Sequence, residues 1–533
     1  MRPGWPGRVF RGVGVAVIMR WWRRLSPQNH ASILLFVGVL IVYIYCANRS
    51  LTYFSNDIIY IVRPAWTLGT GGSLNIEQFP DFTTIANWSF QYDGHTRSDR
   101  FPGAILLSAL FYGVARPDDF TIVPAAVAAA FASAVTVLAL HRVLLALVRP
   151  RTALAGALLF AFGTSVWTVA ADGIWTEGPT MMGIALATWA MSKQSWLLAG
   201  LGYGFAIMSR PHAAVFAAVT GLWAGVSQRS IIPVLKVAAT SGLGLALLLV
   251  YVRINSGQWD IFQGTYGGRI DASTTTDSFA GGQANTAQWI SDYAATFFSP
   301  LRGVFAYSPF LLLALPGLIR AWRVAPHWVK STAVSGVVYL VIQLQGNTWF
   351  GGGGIYGYRL ILPSLLAWWP LLTIAFEQWT EKAKWSRYGF YGLAGVSVWW
   401  FAPGALIFRQ NYIDANVSQF TEWWSWHPSL YVRWAGPFGW AAAAVFVAAL
   451  VYFISLVPGG DPSAPPAKKG KAKQAGAGKT VKGEPAPENE PVAVAAEPKA
   501  KSGSGAAVKQ GTAEPPSSAK KSPGGPNANK KRR

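Results

Sequence analysis

Long apolar segments separated by polar loops fill most of the chain, and this pattern sets the fold class. They lie near residues 32–48, 120–148, 152–170, 179–192, 196–208, 211–227, 232–254, 304–320, 331–345, 360–376, 388–408 and 434–457. A straight helix needs roughly 20 apolar residues to cross a bilayer, and segments of about this length recur along the chain. We therefore predict an all-α membrane protein with about 12 transmembrane helices.

The loops between these segments differ in charge, and the difference predicts their orientation. Every second loop is basic. These loops carry Arg149 and Arg151; Lys193; Arg229; Arg320, Arg323 and Lys330; and Lys382, Lys384 and Arg387. Because Lys and Arg resist translocation, we place these loops and both termini in the cytoplasm. The sequence thus predicts a multi-pass protein of the cytoplasmic (inner) membrane.

Composition supports this class and separates two terminal segments. The chain is 52% apolar and 13% charged, whereas soluble proteins are about 25% charged. We predict a basic cytoplasmic segment over 1–31, a membrane domain over 32–458 and a disordered cytoplasmic tail over 459–533, which has few large apolar side chains. The basic ends are expected to contact anionic membrane lipids rather than nucleic acid. The single cysteine, Cys46, excludes an intrachain disulfide.

The predicted outer loops are longer and chemically richer than the inner ones. Residues 49–119 form the first, and 255–303 form a second large loop that is polar and rich in Gly and Thr. Within the first loop, an apolar stretch over 101–115 opens with Pro102, which predicts a helix lying along the membrane surface. Rich loops on one face indicate that the protein works on the outer face.

One acidic residue, Asp57, follows the first apolar segment closely, so its depth at the membrane boundary is fixed. A solvated loop carboxylate is the simple interpretation of such a residue. The neighbouring Tyr60 and the run Arg63-Pro64-Ala65-Trp66 suggest that a helix resumes there at the interface. A charge held at that boundary costs solvation free energy, which favours a functional interpretation.

Several short motifs, in this order and at these positions, resemble those of the C-type membrane glycosyltransferases. That superfamily includes protein O-mannosyltransferases and lipid A aminoarabinose transferases. The motifs are Asp57 with Tyr60; Arg97-Ser98-Asp99-Arg100-Phe101-Pro102-Gly103; Gly200-Leu201-Gly202-Tyr203-Gly204 with Ser209-Arg210; Tyr307-Ser308-Pro309-Phe310; and Gly354-Ile355-Tyr356-Gly357-Tyr358-Arg359 with Pro363. The resemblance covers residues 32 to about 376.

The resemblance implies an inverting transfer of a sugar from a polyprenyl-phosphate donor to a lipid, glycan or protein acceptor on the outer face. It implies that Asp57 is the general base, and a positioned carboxylate suits that role because an attacking hydroxyl must lose its proton. Tyr60 and Tyr358 lie in its motifs and are expected to bind substrate. The leaving lipid phosphate develops negative charge, so the site requires cations.

Four arginines are candidates for gripping that phosphate. Arg359 follows a Gly-rich loop at the outer end of a span, and its planar fork suits phosphate, although an interfacial Arg reaching for water fits equally. Arg97 and Arg100 could instead pair with nearby acids, Asp93 and Asp99. Arg210 interrupts an apolar stretch and is either a phosphate ligand or part of a polar turn, with the turn slightly favoured.

Glu177 lies in the short second outer loop and is the last candidate for substrate binding. In some members of the superfamily an acid at this place binds a divalent metal or orients the acceptor. With Asp57 it would offer oxygen ligands, which suit magnesium, manganese or calcium. The sequence does not require a metal or any other cofactor.

Two other functions remain open. A polysaccharide polymerase or ligase of the O-antigen type also has about twelve spans, but such proteins gather Arg and His in a large late outer loop. A transporter or flippase would place charged residues in the middle of spans, where this chain has almost none. Of these, the polymerase or ligase is the nearer alternative.

Overall fold

The computed structural model describes residues 25–47, 55–79, 88–261, 286–345, 355–406 and 428–457, together with 347, 349 and 351. The predicted tail and most of the predicted N-terminal segment lie outside these residues, as do parts of both large outer loops. Most of each of the twelve apolar segments is helical where it is described, because apolar runs of this length satisfy their backbone groups internally.

Seventeen α-helices and one hairpin are present in the described residues, numbered here in chain order. The helices are α1 Pro27–Cys46, α2 Asn56–Gly71, α3 Pro102–Ala115, α4 Val123–Leu144, α5 Pro150–Phe162, α6 Glu177–Ser192, α7 Trp196–Ser209, α8 Ala214–Gln228, α9 Ile232–Ser256, α10 Thr286–Phe298, α11 Val304–Tyr307, α12 Phe310–Ala314, α13 Leu318–Val324, α14 His327–Gln345, α15 Leu362–Ala375, α16 Lys384–Leu406 and α17 Pro428–Ser455. The hairpin strands are β1 Ser89–Tyr92 and β2 His95–Ser98.

Four of the described helices, α1, α4, α9 and the part of α17 from Gly436 to Ser455, are long and apolar enough to cross a membrane. Large apolar side chains lie exposed along their outer faces, among them Ile41, Leu243 and Val445. A water-soluble surface rarely exposes so much apolar area, whereas lipid accommodates it. The total of about twelve spans stays a prediction.

The core lies around α4, most of whose residues are buried. Its many alanines let neighbouring helices pack close, as in membrane bundles where small residues line the interfaces. The predicted segment over 304–320 is not one continuous helix, which corrects the sequence analysis. It is divided into α11, α12, a 3-10 turn and α13, with Pro309 and Pro316 at the divisions, because proline removes a backbone donor.

The hairpin in the first outer loop was not anticipated by the sequence analysis, which predicted only helices there. Its strands pair antiparallel from Ser89 with Ser98 to Tyr92 with His95. The connecting residues Asp93 and Gly94 have φ values of 52° and 74°. An Asp-Gly pair with both residues at positive φ is the preferred two-residue hairpin turn, so a sequence signal was present.

The predicted helix over 101–115 exists as α3, which begins at Pro102. One face packs into the bundle, and the other exposes Leu106, Leu110 and Val114 at a spacing of four residues. At its start, a Cβ on Gly103 would lie 2.7 Å from the backbone nitrogen of Ser209. Glycine is therefore required for this approach, which brings two separate sequence motifs together.

Candidate active site

Two carboxylates begin the site, and each lies in the first turn of a helix. Asp57 is the second residue of α2, where the Ser55 hydroxyl accepts a hydrogen bond from the Asp57 amide at 3.3 Å. Glu177 is the first residue of α6 and is completely buried. The positive end of the helix dipole stabilises a carboxylate at such positions. Each acid therefore lies at the positive end of its own helix.

Arg359 bridges these two carboxylates from the segment just before α15. Its Nη1 donates to Asp57 Oδ2 at 2.7 Å, and its Nε donates to Glu177 Oε1 at 2.6 Å. Nη1 also donates to the carbonyl of Gly351 at 3.1 Å. A planar guanidinium can serve several acceptors at once because its donors are fixed in a fork. Arg359 thus fixes the separation of the two acids.

Two further arginines extend the cluster at its ends. Arg100 Nη2 lies 2.9 Å from Asp57 Oδ1, and Arg210 Nη2 donates to Glu177 Oε1 at 2.5 Å. The result is a row of alternating charges, Arg100, Asp57, Arg359, Glu177 and Arg210. We call these five residues the ion cluster. It contains three cations and two anions, so it carries one net positive charge.

The ion cluster is shielded from water, which strengthens each of its attractions. All five residues of the cluster are at most 9% exposed. Asp99 adds a negative charge near one end, at 3.6 Å from Arg100 Nε. Buried charges are tolerated where they are paired, and each charge of the cluster has an opposite charge within 3 Å.

Indole rings cover two of the guanidinium groups. The guanidinium carbon of Arg100 lies 3.9 Å from the ring centre of Trp88, and that of Arg359 lies 3.9 Å from the ring centre of Trp175. Contacts of this kind stabilise a cation over an aromatic face and fix the plane of the guanidinium. The two rings therefore orient the donors of the cluster as well as excluding water.

Burial opposes ionisation of Asp57, but Arg100 and Arg359 outweigh it and lower the pKa of the carboxyl from 3.8 to about 2. Asp57 is consequently ionised at neutral pH and able to accept a hydrogen bond or a proton. A carboxylate with so low a pKa is a weak base, because proton transfer is most efficient when the pKa lies near the working pH.

Polar residues that the sequence analysis did not single out hold Arg210. Its Nε donates to Thr176 Oγ1 at 2.8 Å, and its Nη1 donates to Gln343 Oε1 at 2.5 Å. His212 Nε2 lies 2.8 Å from the same Gln343 oxygen. Gln343 is buried in α14. It could have been found from the sequence as an amide inside an apolar segment.

The predicted site residues divide into two groups. Asp57, Arg100, Glu177, Arg210 and Arg359 come together in the ion cluster. Arg100 contacts Asp57 in addition to Asp99, and Arg210 lies at a turn while its side chain is buried against Glu177. Arg210 therefore lies at the turn that the sequence analysis slightly favoured, and its role as a phosphate ligand stays a prediction.

The other three predicted residues lie outside the ion cluster. Arg97 donates to the carbonyl of Ile254 at 3.4 Å. Tyr60 packs in a small apolar group with Ile76, and Trp88 stacks on its ring at 6.4 Å between centres. The hydroxyl of Tyr358 lies 2.8 Å from the hydroxyl of Ser308 in the protein core. These positions support structural roles, and their predicted substrate contacts stay predictions.

The backbone around Tyr358 explains why Tyr358 and Arg359, which are adjacent in sequence, have side chains in different places. Gly357 has a φ of 96°, and a Cβ there would lie 2.4 Å from the hydroxyl oxygen of Ser165. The same hydroxyl accepts a hydrogen bond from the Tyr358 amide at 2.9 Å. This local geometry directs Tyr358 into the core and leaves Arg359 at the ion cluster.

A divalent metal does not fit between the two acids as they are arranged. The guanidinium of Arg359 lies between Asp57 and Glu177 and contacts both. Within the described ranges, no group of three or more His, Cys, Asp or Glu residues could hold a metal ion. Arg359 therefore provides the positive charge that a metal would otherwise bring to this pair.

Comparison with known proteins gives likenesses to solved structures alone, since no protein-family model and no curated protein matches the sequence. The chain is similar to ArnT from Cupriavidus metallidurans bound to undecaprenyl phosphate. The identity is 12% and the TM-score 0.49, with 79% of this chain and 71% of that chain covered.

Two structures from Archaeoglobus fulgidus are also similar. One is an oligosaccharyltransferase tethered to an acceptor peptide, with 11% identity and a TM-score of 0.37; the other is the oligosaccharyltransferase AglB with an inhibitory peptide and a dolichol-phosphate, with 10% identity and a TM-score of 0.36. Each of these two likenesses covers 81% of this chain and 56% of the other chain.

All three of these structures are distant from this chain in sequence. Their identities of 10–12% and TM-scores below 0.5 assign neither an activity nor a substrate to this chain.

Proposed function

We propose that the protein is an integral-membrane glycosyltransferase that moves a sugar from a polyprenyl-phosphate donor to a lipid, glycan or protein acceptor on the outer face of the cytoplasmic membrane. The supporting observation is the direct contact of Asp57 with Arg359 at 2.7 Å. In such a reaction the base for the acceptor lies on one face of the anomeric carbon and a cation for the leaving phosphate lies near the other face, so the two groups must be within a few ångströms of each other. These two residues meet that requirement although they lie 302 positions apart.

The proposed reaction is a single displacement. The acceptor oxygen forms a bond to the anomeric carbon as the bond from that carbon to the donor phosphate oxygen breaks. The electron pair of the broken bond stays on the phosphate, where Arg359 and its neighbour Arg100 stabilise the added charge. The acceptor proton moves to Asp57. No covalent enzyme intermediate is needed, so the configuration at the anomeric carbon is inverted.

Binding of the donor would also strengthen the base. With no anion bound, Arg100 and Arg359 hold the pKa of Asp57 at about 2 despite burial. A donor phosphate that accepts hydrogen bonds from Arg359 adds a negative charge beside Asp57 and weakens that attraction. Burial, which raises the pKa, then counts for more. In this scheme Asp57 becomes an effective base only when the donor is in place.

The location of the charges bears on the alternatives. The two acids stand at helix starts, Arg210 stands at a helix end and Arg359 precedes a helix. A transporter would use charges in the middle of spans, whereas the charges of the ion cluster lie at or near helix ends. The cluster also combines the first outer loop with later segments, whereas a polymerase or ligase of the O-antigen type would gather its charges in one late loop.

Label transfer in membranes supplied with radiolabelled polyprenyl-phosphate sugars tests the proposal. We expect Asp57→Asn to lower the transfer rate by about a hundredfold or more, the usual contribution of a positioned base. Asp57→Glu keeps a carboxylate and is expected to retain part of the activity. Asp93→Asn is the matched control, because Asp93 lies exposed in the hairpin turn of the same loop.

Protein level and thermal midpoint are measured for each variant, so that loss of folding is separated from loss of chemistry. Unchanged transfer by folded Asp57→Asn would remove Asp57 from the mechanism. Absence of transfer by the unaltered protein, across a panel of donors and native membranes, would count against a glycosyltransferase.

A further inference from the structure

A cavity lies at the opposite end of α15 from the ion cluster. Its volume is about 690 Å³, and it lies among α5, α12, α15, α16 and α17. Arg359 precedes the first residue of α15, whereas the cavity is lined by the last part of that helix and by Phe376. At 1.5 Å per residue, the helix separates the two sites by about 20 Å. We call this space the inner-end cavity.

The inner-end cavity is apolar in its interior. Leu159, Trp369, Val447 and Leu450 are among the side chains that line it. Two lining residues with polar atoms use them within the protein, since the Trp369 indole donates to the carbonyl of Gly156 at 3.0 Å and the Thr373 hydroxyl donates to the carbonyl of Trp369 at 2.8 Å. Such walls offer little to water, so an apolar occupant is favoured.

The mouth of the cavity is positively charged. Arg149, Arg151, Arg387 and Glu381 line it. Arg149 is neutralised by Glu377 at 3.1 Å and by Glu381. Arg151 and Arg387 form no ion pair with any acid that the described ranges include. Two arginines are therefore left for an anion, and guanidinium groups bind phosphate in a paired, directional way.

We infer that the inner-end cavity binds an anionic glycerophospholipid, with its phosphate at Arg151 and Arg387 and an acyl chain inside. The volume lies within the range of about 300–1,000 Å³ found for small-molecule sites. Both arginines belong to loops predicted to be cytoplasmic, and the cytoplasmic leaflet holds the anionic lipids that basic pockets between helices recognise.

The charge of the chain's own terminal segments argues against them as occupants. Residues 1–30 hold six arginines and no acid, and residues 459–533 hold 15 Lys or Arg against six Asp or Glu. A basic segment is repelled from a basic mouth. An anionic lipid complements that charge and supplies the apolar chain that the interior fits.

Native mass spectrometry of the purified full-length protein tests this inference, with phosphatidylglycerol or phosphatidylcholine vesicles as the lipid source. We expect the unaltered protein to retain phosphatidylglycerol in preference to phosphatidylcholine. The double variant Arg151→Gln/Arg387→Gln is expected to bind it about tenfold or more weakly, since each basic residue near the surface contributes roughly a fivefold factor.

Two further variants separate the cavity from general surface charge. Lys382→Gln/Lys384→Gln removes the same amount of charge close to Arg387 in the sequence, and neither lysine lines the cavity, so lipid retention is expected to stay unchanged. Ala155→Phe fills the cavity without changing charge and is expected to lower retention. Equal retention of both lipids, loss in the lysine control, or full retention by Ala155→Phe would each overturn the inference.

Discussion

Removing either Asp57 or Arg359 alone should destabilise the protein by nearly as much as removing both. Each single change leaves a buried charge without part of its compensation, and breaking a buried pair in this way costs about 3–5 kcal/mol. The expected double-mutant cycle uses Asp57→Asn, Arg359→Gln and their combination. It isolates the contact at 2.7 Å between Arg359 Nη1 and Asp57 Oδ2.

The geometry sets the size of the coupling. The contact is one charge-assisted hydrogen bond between residues that are at most 9% exposed, and such bonds contribute about 1.5–3 kcal/mol. Arg359 keeps its second bond, to Glu177, when Asp57 is changed, and Asp57 keeps Arg100 when Arg359 is changed. These remaining contacts stop the single variants from reaching the full cost, so we expect a coupling near 2 kcal/mol.

Denaturant unfolding in detergent micelles measures the four free energies. A second cycle, between Asp57→Asn and Arg149→Gln, is the control, because Arg149 forms its half-buried ion pair with Glu377, beyond the far end of α15. The effects of two distant substitutions on the free energy of unfolding add to within about 0.5 kcal/mol. Additive effects for Asp57 with Arg359 would refute the direct pairing, and strong coupling in the control would show that the measurement reports global disruption.

Three other outcomes are expected. Asp57 contributes about 2 kcal/mol of stability at neutral pH because its folded pKa of about 2 lies below the ordinary 3.8. That contribution is complete above about pH 5 and is lost as the pH falls through 3.8 towards 2, so acid unfolding of Asp57→Asn should depend less on pH in this window. Gly357→Ala should destabilise the protein by at least about 1–2 kcal/mol, because its φ of 96° and the nearby Ser165 hydroxyl oppose a Cβ; Gly392→Ala, with open space around it, is the control in the same thermal-midpoint assay. Chelation by EDTA should leave label transfer unchanged, because Arg359 occupies the place between the two acids, and loss of transfer with recovery on adding a divalent cation would contradict this.

Local patterns in the chain predict its helices well, and the reason is physical. An apolar run in lipid must satisfy its own backbone donors and acceptors, so each such run becomes helix wherever it lies. The main failures were also local. The turn at Asp93-Gly94 produced a hairpin, and Pro309 with Pro316 divided one expected helix into short pieces.

The candidate site was predicted as a set of residues but not as an arrangement. Asp57, Arg100, Glu177, Arg210 and Arg359 were each singled out by their charge together with the resemblance to the C-type membrane glycosyltransferases. The ion pairs between these residues were not predicted. The sequence offered Asp99 as the partner of Arg100 and favoured a polar turn for Arg210. Gln343, which accepts from Arg210, went unnoticed because an amide carries no charge signal.

The sequence by itself therefore determines the helical class, the approximate limits of the helices and the small number of charges that must be explained. The tertiary structure alone decides that Arg359 lies between two acids that precede it by 302 and 182 positions. Hydrophobic periodicity reports only the environment of each segment, whereas ion pairing depends on which helix ends are brought together. That choice is made by packing over the whole bundle, including the close approach of Gly103 to Ser209.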